Sequence, residues 1–426
     1  MQLVSRKSRL KGRVSIPASK SHTIRAVAIA SLADGESVIR NPLWSGDTKA
    51  GVRCYRALGA EIDTADAHAW KVKGTAGRIV PPEQTIDVLN SGTTLRVAMG
   101  SAALAEPGPA TTFTGDEQIQ TRSVGPLMQS LGDLGARCES LKHNEKAPVR
   151  VWGRLKGGRT SIAAVTSQYL SSLLLCTPLA ADDTDIDITL LNEPGYVQMT
   201  LDWLDKQGIQ YQNDAMRHFH VRGGQSYKPF DLPVPADFSS ATFFLCGAAL
   251  FGDEVTLAEL DFSDSQPDKA VVDYLRQMGA DITAAENGIT VKGGSLRGVT
   301  LDMNATPDAL PAMAVTAAFA EGTTRLVNVA QARTKETDRI KCMAEELQKL
   351  GARVEELPDG LVVHHSKLRA VHLDGRSDHR IVMALSLAAM GLDEPCTIET
   401  AEAMKVTFPE FVSLMRALGA DMETRG

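Results

Sequence analysis

Ala57-Leu58-Gly59-Ala60 closes an amphipathic stretch of the chain, and this short segment decides the fold because close copies of it recur. A glycine directly after an amphipathic stretch is typical of a helix C-terminus, where the backbone turns left-handed. The copies follow one another at intervals close to one sixth of the 426 residues, which predicts six repeats of about 71 residues. Their glycines are Gly59, Gly135, Gly208, Gly279, Gly351 and Gly419.

Each repeat also contains an earlier helix, which is predicted to begin at a polar residue and to continue through an Ala-rich apolar stretch. A short β-rich run follows that helix, and further strands follow the second helix. The repeat therefore reads β-α-β-α-β-β, and its two strand-crossover-strand passages require a partly parallel sheet covered by helices. The earlier helices are predicted to start within residues 19–26, 90–96, 166–172, 237–244, 308–313 and 378–383.

The six repeats divide most naturally into three and three. Two prolines in the segment 233–237, between the third and fourth repeats, support a domain boundary there. The glycine-rich segments 153–159 and 292–298 lack the Gly-Lys-Ser/Thr ending of a phosphate-binding loop. They are predicted to be hairpin turns at a fixed place in the repeat.

Composition excludes several classes of protein. The chain has 52 acidic and 45 basic residues and a formal net charge of −7, which argues against nucleic acid or a membrane surface as a partner. The six cysteines form no C-x-x-C pair, and no stretch is typical of a signal peptide or a membrane span, so a cytoplasmic protein is expected. No dinucleotide fingerprint, Walker motif or zinc-ligand spacing occurs, which predicts chemistry by side chains alone, without cofactor or metal.

Basic residues stand where helices are predicted to begin, against the partial positive charge of a helix N-terminus. Taken alone, Lys335, Glu336 and Arg339 also fit a surface ion pair and a solvated face. Six polar residues taken alone also fit helix N-caps, namely Ser19, Ser21, Asn90, Thr166, Asp308 and Asp378. The recurrence of basic residues at helix starts in several repeats favours phosphate or carboxylate groups bound there. The basic residues are Lys20, Arg25, Arg96, Arg122, Lys335, Arg339, His379, Arg380 and Lys405.

Seven motifs, in order and spacing, resemble those of the EPSP synthase (3-phosphoshikimate 1-carboxyvinyltransferase) family. They lie at residues 17–26, 89–96, 166–168, 307–309, 334–340, 378–380 and 407–411. The resemblance implies an α/β fold of two similar domains, an inside-out α/β barrel in which each domain has three β-α-β-α-β-β repeats around a pseudo-threefold axis. The first domain is expected to comprise residues 1–17 and 238–426, the second residues 18–237, with the active-site cleft between them.

The resemblance also implies a reaction. The family transfers the carboxyvinyl group of phosphoenolpyruvate to the 5-hydroxyl of shikimate 3-phosphate and releases phosphate, a step towards chorismate and the aromatic amino acids. Phosphate and carboxylate groups on both substrates match the cations at the predicted helix starts. A monomer is expected, with these two small molecules as its partners. Because Gly92 is present, inhibition by glyphosate is expected, with relief by Gly92→Ala.

Residue roles follow from the resemblance position by position. Asp308 is expected to accept the hydroxyl proton, while Glu336 and Lys20 exchange the methyl proton and assist the departure of phosphate. Shikimate 3-phosphate is expected to meet Lys20, Ser21, Arg25, Thr166, Ser167, Gln168, Asp308, Gln331 and Lys335. Phosphoenolpyruvate is expected to meet Lys20, Asn90, Gly92, Arg122, Arg339, His379, Arg380 and Lys405.

Four positions depart from the family pattern, and one of them is Val97, where relatives often have proline. Glu193 stands where many relatives have a serine for the shikimate phosphate, and an acid there would repel phosphate. Gln331 replaces an asparagine, which is a change from amide to amide. Val406 stands where a lysine is common, so Lys405, one residue earlier and about 100° away on a helix, is the candidate substitute.

Two other functions stay open at this stage. The sister enolpyruvyl transferase that acts on UDP-N-acetylglucosamine shares the six-repeat fold, but its usual loop cysteine is missing from segment 114–122. A noncatalytic anion-binding scaffold could use the same repeat. It would not need an acid and a base within an anion pocket, as Asp308 and Glu336 would provide.

Overall fold

The computed structural model of the chain describes residues 1–285 and 288–426. Thirteen α-helices occur in this part of the chain. They are α1 (Lys20–Leu32), α2 (Gly46–Ala57), α3 (Gly92–Ala102), α4 (Gly125–Asp133), α5 (Ser167–Cys176), α6 (Pro194–Gln207), α7 (Phe238–Phe251), α8 (Ala270–Gln277), α9 (Leu310–Phe319), α10 (Arg339–Lys349), α11 (His379–Met390), α12 (Met404–Thr407) and α13 (Phe411–Ala417).

The strands of the described residues form six sheets of four strands each. In chain order they are β1 (Gln2–Ser5), β2 (Leu10–Ser15), β3 (Glu36–Arg40), β4 (Glu61–Asp63), β5 (Ala69–Lys73), β6 (Ile86–Asp87), β7 (Thr111–Thr114), β8 (Arg137–Ser140), β9 (Val149–Trp152), β10 (Gly158–Ala164), β11 (Thr184–Leu191), β12 (Tyr211–Asp214), β13 (His218–Val221), β14 (Asp231–Pro233), β15 (Gly252–Ala258), β16 (Asp281–Ala285), β17 (Gly288–Lys292), β18 (Thr300–Asp302), β19 (Thr323–Val327), β20 (Arg353–Leu357), β21 (Gly360–His364), β22 (His372–Asp374), β23 (Cys396–Glu399) and β24 (Met422–Arg425).

Each sheet corresponds to one repeat. In the second repeat, with strand order β6-β7-β9-β8, β6 runs parallel to β7, and β9 runs antiparallel to both β7 and β8. Helices α3 and α4 lie between these strands in the chain, as the pattern β-α-β-α-β-β predicts. The third and fifth repeats have the same order, in the sheets β10-β11-β13-β12 and β18-β19-β21-β20.

The other three sheets borrow strands from distant parts of the chain. The leading strand of the first repeat is β14, which pairs in parallel with β3, and that of the fourth repeat is β2, which pairs in parallel with β15. In the sixth repeat β1 lies between β23 and β24, antiparallel to both. The first seventeen residues therefore complete the sheets of the fourth and sixth repeats.

The chain divides into two compact domains on this topology. The first domain is Met1–Pro17 with Pro235–Gly426, and the second domain is Ala18–Val234. Three complete sheets belong to each domain.

The first helix of each repeat forms the core of its domain. Helices α1, α3 and α5 contact one another or a shared neighbour in the second domain, as α7, α9 and α11 do in the first. Nearly all of their residues are buried, which fits helices that are apolar on every side. Second helices such as α8 and α10 bury one face only. Polar residues at the N-termini of the six core helices are consequently held by rigid, buried elements.

The predicted C-terminal glycines are confirmed. All six follow their second helix and have positive φ, from 71° at Gly208 to 109° at Gly59. Glycine reaches this left-handed region without a steric penalty, which is why the motif marks the helix ends so regularly.

Some local predictions are wrong. Segments 153–159 and 292–298 are not hairpin turns, because they join β9 to β10 and β17 to β18, strands of different sheets. The N-cap of α3 is Ser91, whose hydroxyl accepts a hydrogen bond from the N–H of Thr94, so Asn90 lies one residue outside the helix.

None of the described helices is both long and apolar enough to span a membrane.

Candidate active site

Lys20, at the first turn of α1, is held by an acid of a second helix. Its ammonium lies 3.2 Å from Oδ2 of Asp47, and both side chains are largely shielded from water. Asp47 stands in the first turn of α2, where the helix dipole favours a carboxylate. This contact fixes the lysine's position and keeps its charge balanced.

Arg25 is a buried guanidinium one turn further along α1. Its donors reach the hydroxyl oxygens of Thr200 at 2.9 Å and Ser171 at 3.3 Å, and the carbonyl oxygens of Ser21 at 3.0 Å and Tyr196 at 2.8 Å. Burial lowers the pKa of Arg25 to about 10. The side chain therefore remains a cation at neutral pH, and these four partners are all uncharged.

The start of α3 brings two arginines close to a glycine. The side chain of Arg96 donates to the carbonyl of Gly92 at 3.1 Å and to Oε1 of Gln168, at the start of α5, at 3.0 Å. A Cβ built on Gly92 would lie 2.5 Å from Nη1 of Arg96 and 2.8 Å from Nη1 of Arg122. The missing side chain is thus what allows both guanidinium groups to approach the helix N-terminus.

The start of α5 holds a carboxylate of the chain itself. Oε2 of Glu193 accepts hydrogen bonds from Oγ of Ser167 at 2.7 Å, from the backbone N–H of Ser167 at 3.3 Å and from Oγ1 of Thr166 at 3.4 Å. Glu193 is buried and has a left-handed backbone, with φ 57° and ψ 48°. Two of the residues expected to meet shikimate 3-phosphate, Thr166 and Ser167, therefore already hold an anion.

Asn90 points to a different set of partners. Its amide donates to Oδ2 of Asp116 at 2.7 Å and to Oε1 of Gln118 at 2.5 Å. The structure thus joins Asn90 to the loop after β7.

In the first domain, Arg339 is surrounded by three carboxylates that are far apart in sequence. Its guanidinium lies 2.7 Å from Asp308, 2.5 Å from Glu336 and 2.8 Å from Asp378. Burial acts to lower the pKa of Arg339, but the three acids outweigh it and raise the pKa above its ordinary value. Asp308 and Glu336, the two residues expected to transfer protons, therefore both contact the guanidinium group of Arg339.

A second arginine also contacts Asp308. Nη2 of Arg380 lies 3.0 Å from Oδ2 of Asp308 and 2.8 Å from Oγ of Ser239, at the start of α7. Burial acts to raise the pKa of Asp308, but Arg380, Lys335 and Arg339 outweigh it, so the pKa falls well below its ordinary value. Asp308 is therefore ionised at neutral pH and able to accept a proton.

His379 opens α11 beside these groups and is almost fully buried. Burial lowers the pKa of His379 to about 3, so the imidazole is neutral at physiological pH. No described atom accepts from or donates to its Nε2. A neutral imidazole with one ring nitrogen available can donate a hydrogen bond to an anion or accept one from an acid.

The remaining expected residues differ in exposure. Gln331 is buried and donates to the carbonyl of Asn304 at 2.7 Å. Lys335 precedes α10 instead of opening it and contributes to the low pKa of Asp308. Lys405 is exposed on the four-residue helix α12, and Val406 beside it is half-buried. Arg122 precedes α4 by three residues and is buried.

Sequence reasoning missed the part that Asp47 and Asp378 play in holding Lys20 and Arg339. Both residues stand at helix N-termini, so their sequence context is that of an ordinary cap. No group of three or more His, Cys, Asp or Glu residues in the described ranges 1–285 and 288–426 is placed to hold a metal ion.

Comparison of the sequence with known families gives a match over nearly the full length. A model described as EPSP synthase (3-phosphoshikimate 1-carboxyvinyltransferase) matches residues 4–415. A 3-phosphoshikimate 1-carboxyvinyltransferase of Ruminiclostridium cellulolyticum is 51% identical over 423 residues, which cover 99% of this chain and 100% of that protein. A protein of the same name from Acetivibrio thermocellus is 50% identical over 424 residues, covering 100% of both.

Solved structures agree with the sequence relatives. An EPSP synthase from Acinetobacter baumannii superposes with a TM-score of 0.84 at 25% identity, covering 100% of both chains. An enolpyruvyl transferase from Streptomyces tendae shares the fold, with a TM-score of 0.78 at 20% identity over 99% of this chain and 98% of that one. These likenesses confirm the predicted fold class.

Proposed function

We infer, because the chain belongs to the EPSP synthase family, that it transfers the carboxyvinyl group of phosphoenolpyruvate to the 5-hydroxyl of shikimate 3-phosphate and releases phosphate. The enzyme is thus a 3-phosphoshikimate 1-carboxyvinyltransferase of the shikimate pathway. One observation carries the chemical part of the proposal, namely that two acids, Asp308 and Glu336, share the buried guanidinium of Arg339. A site of this kind can move protons beside an anionic substrate.

Substrate binding is assigned to the two sets of cations. Arginines bind the phosphate and carboxylate of phosphoenolpyruvate, because the planar guanidinium group donates two hydrogen bonds at once. These are Arg122, Arg339 and Arg380, with Lys20, Asn90, Gly92, His379 and Lys405 as further contacts. Shikimate 3-phosphate is assigned to Ser21, Arg25, Thr166, Ser167, Gln168, Gln331 and Lys335, together with Lys20 and Asp308.

The proposed reaction has an addition step and an elimination step. The 5-hydroxyl oxygen attacks C2 of phosphoenolpyruvate and loses its proton to Asp308, while C3 gains a proton and becomes a methyl group. The tetrahedral adduct then loses phosphate from C2 and a proton from the methyl group, which restores the double bond. Glu336 and Lys20 are assigned the proton exchange at C3 and assistance to the departing phosphate.

The ion pairs of Asp308 give a reason for coupling proton transfer to substrate binding. Arg339 and Arg380 stabilise its ionised form, which makes the carboxylate a weak base. An anionic substrate that takes over donors of both arginines would weaken that stabilisation and raise the basicity of Asp308. The base would then become effective once phosphoenolpyruvate is bound.

We propose that the protein is a monomer and is located in the cytoplasm, as expected from the sequence. All six cysteines are free thiols, which suits a reducing compartment. Size-exclusion chromatography with light scattering tests the monomer.

The function is tested by following phosphate release from phosphoenolpyruvate with either acceptor. With shikimate 3-phosphate, stoichiometric phosphate and a carboxyvinyl ether product are expected. With UDP-N-acetylglucosamine, no release above background is expected. If phosphate is released only when UDP-N-acetylglucosamine is the acceptor, the chain has the activity of the sister enolpyruvyl transferase. If neither acceptor gives phosphate release, a noncatalytic anion-binding scaffold is left.

The proton-transfer assignment is tested by Glu336→Gln and Asp308→Ala. General acid–base groups contribute about 10² to 10⁴ to a rate, so a fall of kcat by at least about 10² is expected for each variant. Glu345→Gln, at a partly exposed glutamate on the same helix as Arg339, is the matched control and should keep normal turnover. Near-normal turnover by Glu336→Gln, or an unchanged rate and acceptor affinity in Asp308→Ala, would contradict these roles.

A further inference from the structure

Glu193 occupies hydrogen-bond donors of Thr166 and Ser167, two residues expected to meet shikimate 3-phosphate. Its carboxylate is buried and takes the hydroxyl of Ser167, the backbone N–H of Ser167 and the hydroxyl of Thr166, at 2.7, 3.3 and 3.4 Å. The N-terminus of the ten-residue helix α5 adds its dipole to this attraction. An anion is therefore bound here by the same groups that would bind phosphate.

The backbone holds the glutamate in this position. Glu193 has a left-handed conformation and directly precedes Pro194, the first residue of α6. A left-handed conformation is uncommon for a residue with a side chain, and the surrounding structure has to enforce it. The carboxylate is thus set into the site by the start of α6.

Arg25, which is also expected to meet shikimate 3-phosphate, is a second group near this position that can bind an anion. It is buried, it makes no ion pair with the described residues, and its hydrogen bonds run to hydroxyl and carbonyl oxygens only. Buried cations are normally paired with an acid or a ligand. One of its acceptors is the carbonyl of Tyr196, three residues after Glu193, so both features belong to the start of α6.

We propose that Glu193 determines acceptor specificity, because its carboxylate competes with the phosphate of shikimate 3-phosphate for Thr166 and Ser167. The inference rests on the proposed function, which supplies the acceptor and its phosphate. A phosphate dianion and a carboxylate repel each other at hydrogen-bond distance, so the acceptor has to displace the glutamate from α5. Acceptors with a neutral group at this position escape that competition.

The principal test compares Glu193→Ser with the wild-type enzyme in steady-state kinetics. Serine replaces the carboxylate with a neutral hydroxyl donor, so the KM for shikimate 3-phosphate should fall by about tenfold or more, with ΔΔG of about 1.4 kcal/mol per tenfold. The KM for phosphoenolpyruvate should change little. Glu83→Ser, at an exposed glutamate of the same domain, is the matched control and should change neither constant.

A purely structural role for Glu193 predicts the opposite pattern. If the carboxylate serves only as a cap for α5, Glu193→Ser lowers the melting temperature and raises the KM for shikimate 3-phosphate. Glu193→Gln, which keeps an acceptor oxygen without the charge, would then resemble the wild type in both respects. That pair of results, or an unchanged KM in a well-folded Glu193→Ser, overturns the proposal.

Direct binding of inorganic phosphate separates this inference from the proposed function. Calorimetry should show Glu193→Ser binding inorganic phosphate at least about tenfold more tightly than the wild type, whether or not the wild type turns over. If the wild type fails to release phosphate from phosphoenolpyruvate with shikimate 3-phosphate, the proposed function fails. If the wild type is active and both phosphate affinity and KM are unchanged by Glu193→Ser, only this inference fails.

Discussion

At the scale of single residues, Gly92 has room for a hydrogen atom and none for a methyl group. A Cβ there would lie 2.5 Å from Arg96 and 2.8 Å from Arg122, at the flexible ends of both side chains. Gly92→Ala should therefore fold normally while it pushes the guanidinium groups away from α3. We expect glyphosate inhibition to weaken by about tenfold or more and the KM for phosphoenolpyruvate to rise.

The measurement is the glyphosate concentration that halves phosphate release. Gly132→Ala makes the same change in α4, where the added Cβ points into open space, and should leave inhibition as in the wild type. Equal sensitivity of Gly92→Ala and the wild type would remove Gly92 from the inhibitor's pocket.

His379 predicts a dependence of stability on pH. Its pKa is lowered to about 3 by burial, whereas the unfolded chain has a histidine pKa near 6.5. Between these values the unfolded chain binds a proton that the folded chain does not, so the free energy of unfolding rises with pH across this window. Between pH 5.5 and 7.5 the His379 contribution is about 1 kcal/mol.

Burial lowers the pKa of His379 together with Arg380 and Arg339, and these effects outweigh Asp378 and Glu336, which raise it. Urea unfolding at pH 5.5 and 7.5 checks the prediction. His379→Gln should lose about 1 kcal/mol of the pH difference, while His68→Gln, at an exposed histidine, should retain it. A His379→Gln variant with the full wild-type difference would show that the imidazole does not resist protonation.

At the scale of elements, the helix-ending glycines act through backbone conformation. Gly208 has φ 71°, and a Cβ added there would point into open space, so Gly208→Ala introduces conformational strain without a clash. The left-handed region costs a residue with a side chain about 1 to 2 kcal/mol, and a loss of stability of this size is expected from denaturant unfolding. Gly132→Ala, inside a helix, should instead gain about 0.5 to 1 kcal/mol. Equal effects of the two substitutions would contradict the assignment.

At the scale of the whole molecule, the two domains differ in how their sheets are completed. Residues 18–234 contain every strand of three sheets, whereas residues 238–426 lack β1 and β2. We expect residues 18–234, expressed alone, to fold and to unfold cooperatively. Residues 238–426 should stay unfolded, because the absence of β1 leaves β23 and β24 without the strand that pairs with both of them.

Circular dichroism and limited proteolysis of the two fragments check this prediction. Addition of residues 1–17 to the 238–426 fragment, in trans or through a short linker, should restore protease resistance. A folded 238–426 fragment without that segment would show that β1 and β2 are dispensable.

The sequence alone determined the features that depend on neighbours along the chain. Glycines such as Gly59 and Gly351 indicate a left-handed backbone at a helix end. An apolar stretch such as that of α7 indicates a helix that is buried on every side. The six repeats, their β-α-β-α-β-β order and the helix starts near Lys20 and His379 were therefore predictable. The family motifs then supplied candidate roles that composition and spacing could not provide.

The tertiary structure decided which side chains meet, because partners distant in sequence leave no local pattern. Asp308 and Asp378 join Glu336, a near neighbour of Arg339 in sequence, around this arginine only because the fifth and sixth repeats fold together. The same reason explains why segment 153–159 joins two sheets and why β14 completes the first repeat. Glu193 is the sharpest case, since a sequence shows an acid in place of a serine, whereas folding places its carboxylate on the donors of α5.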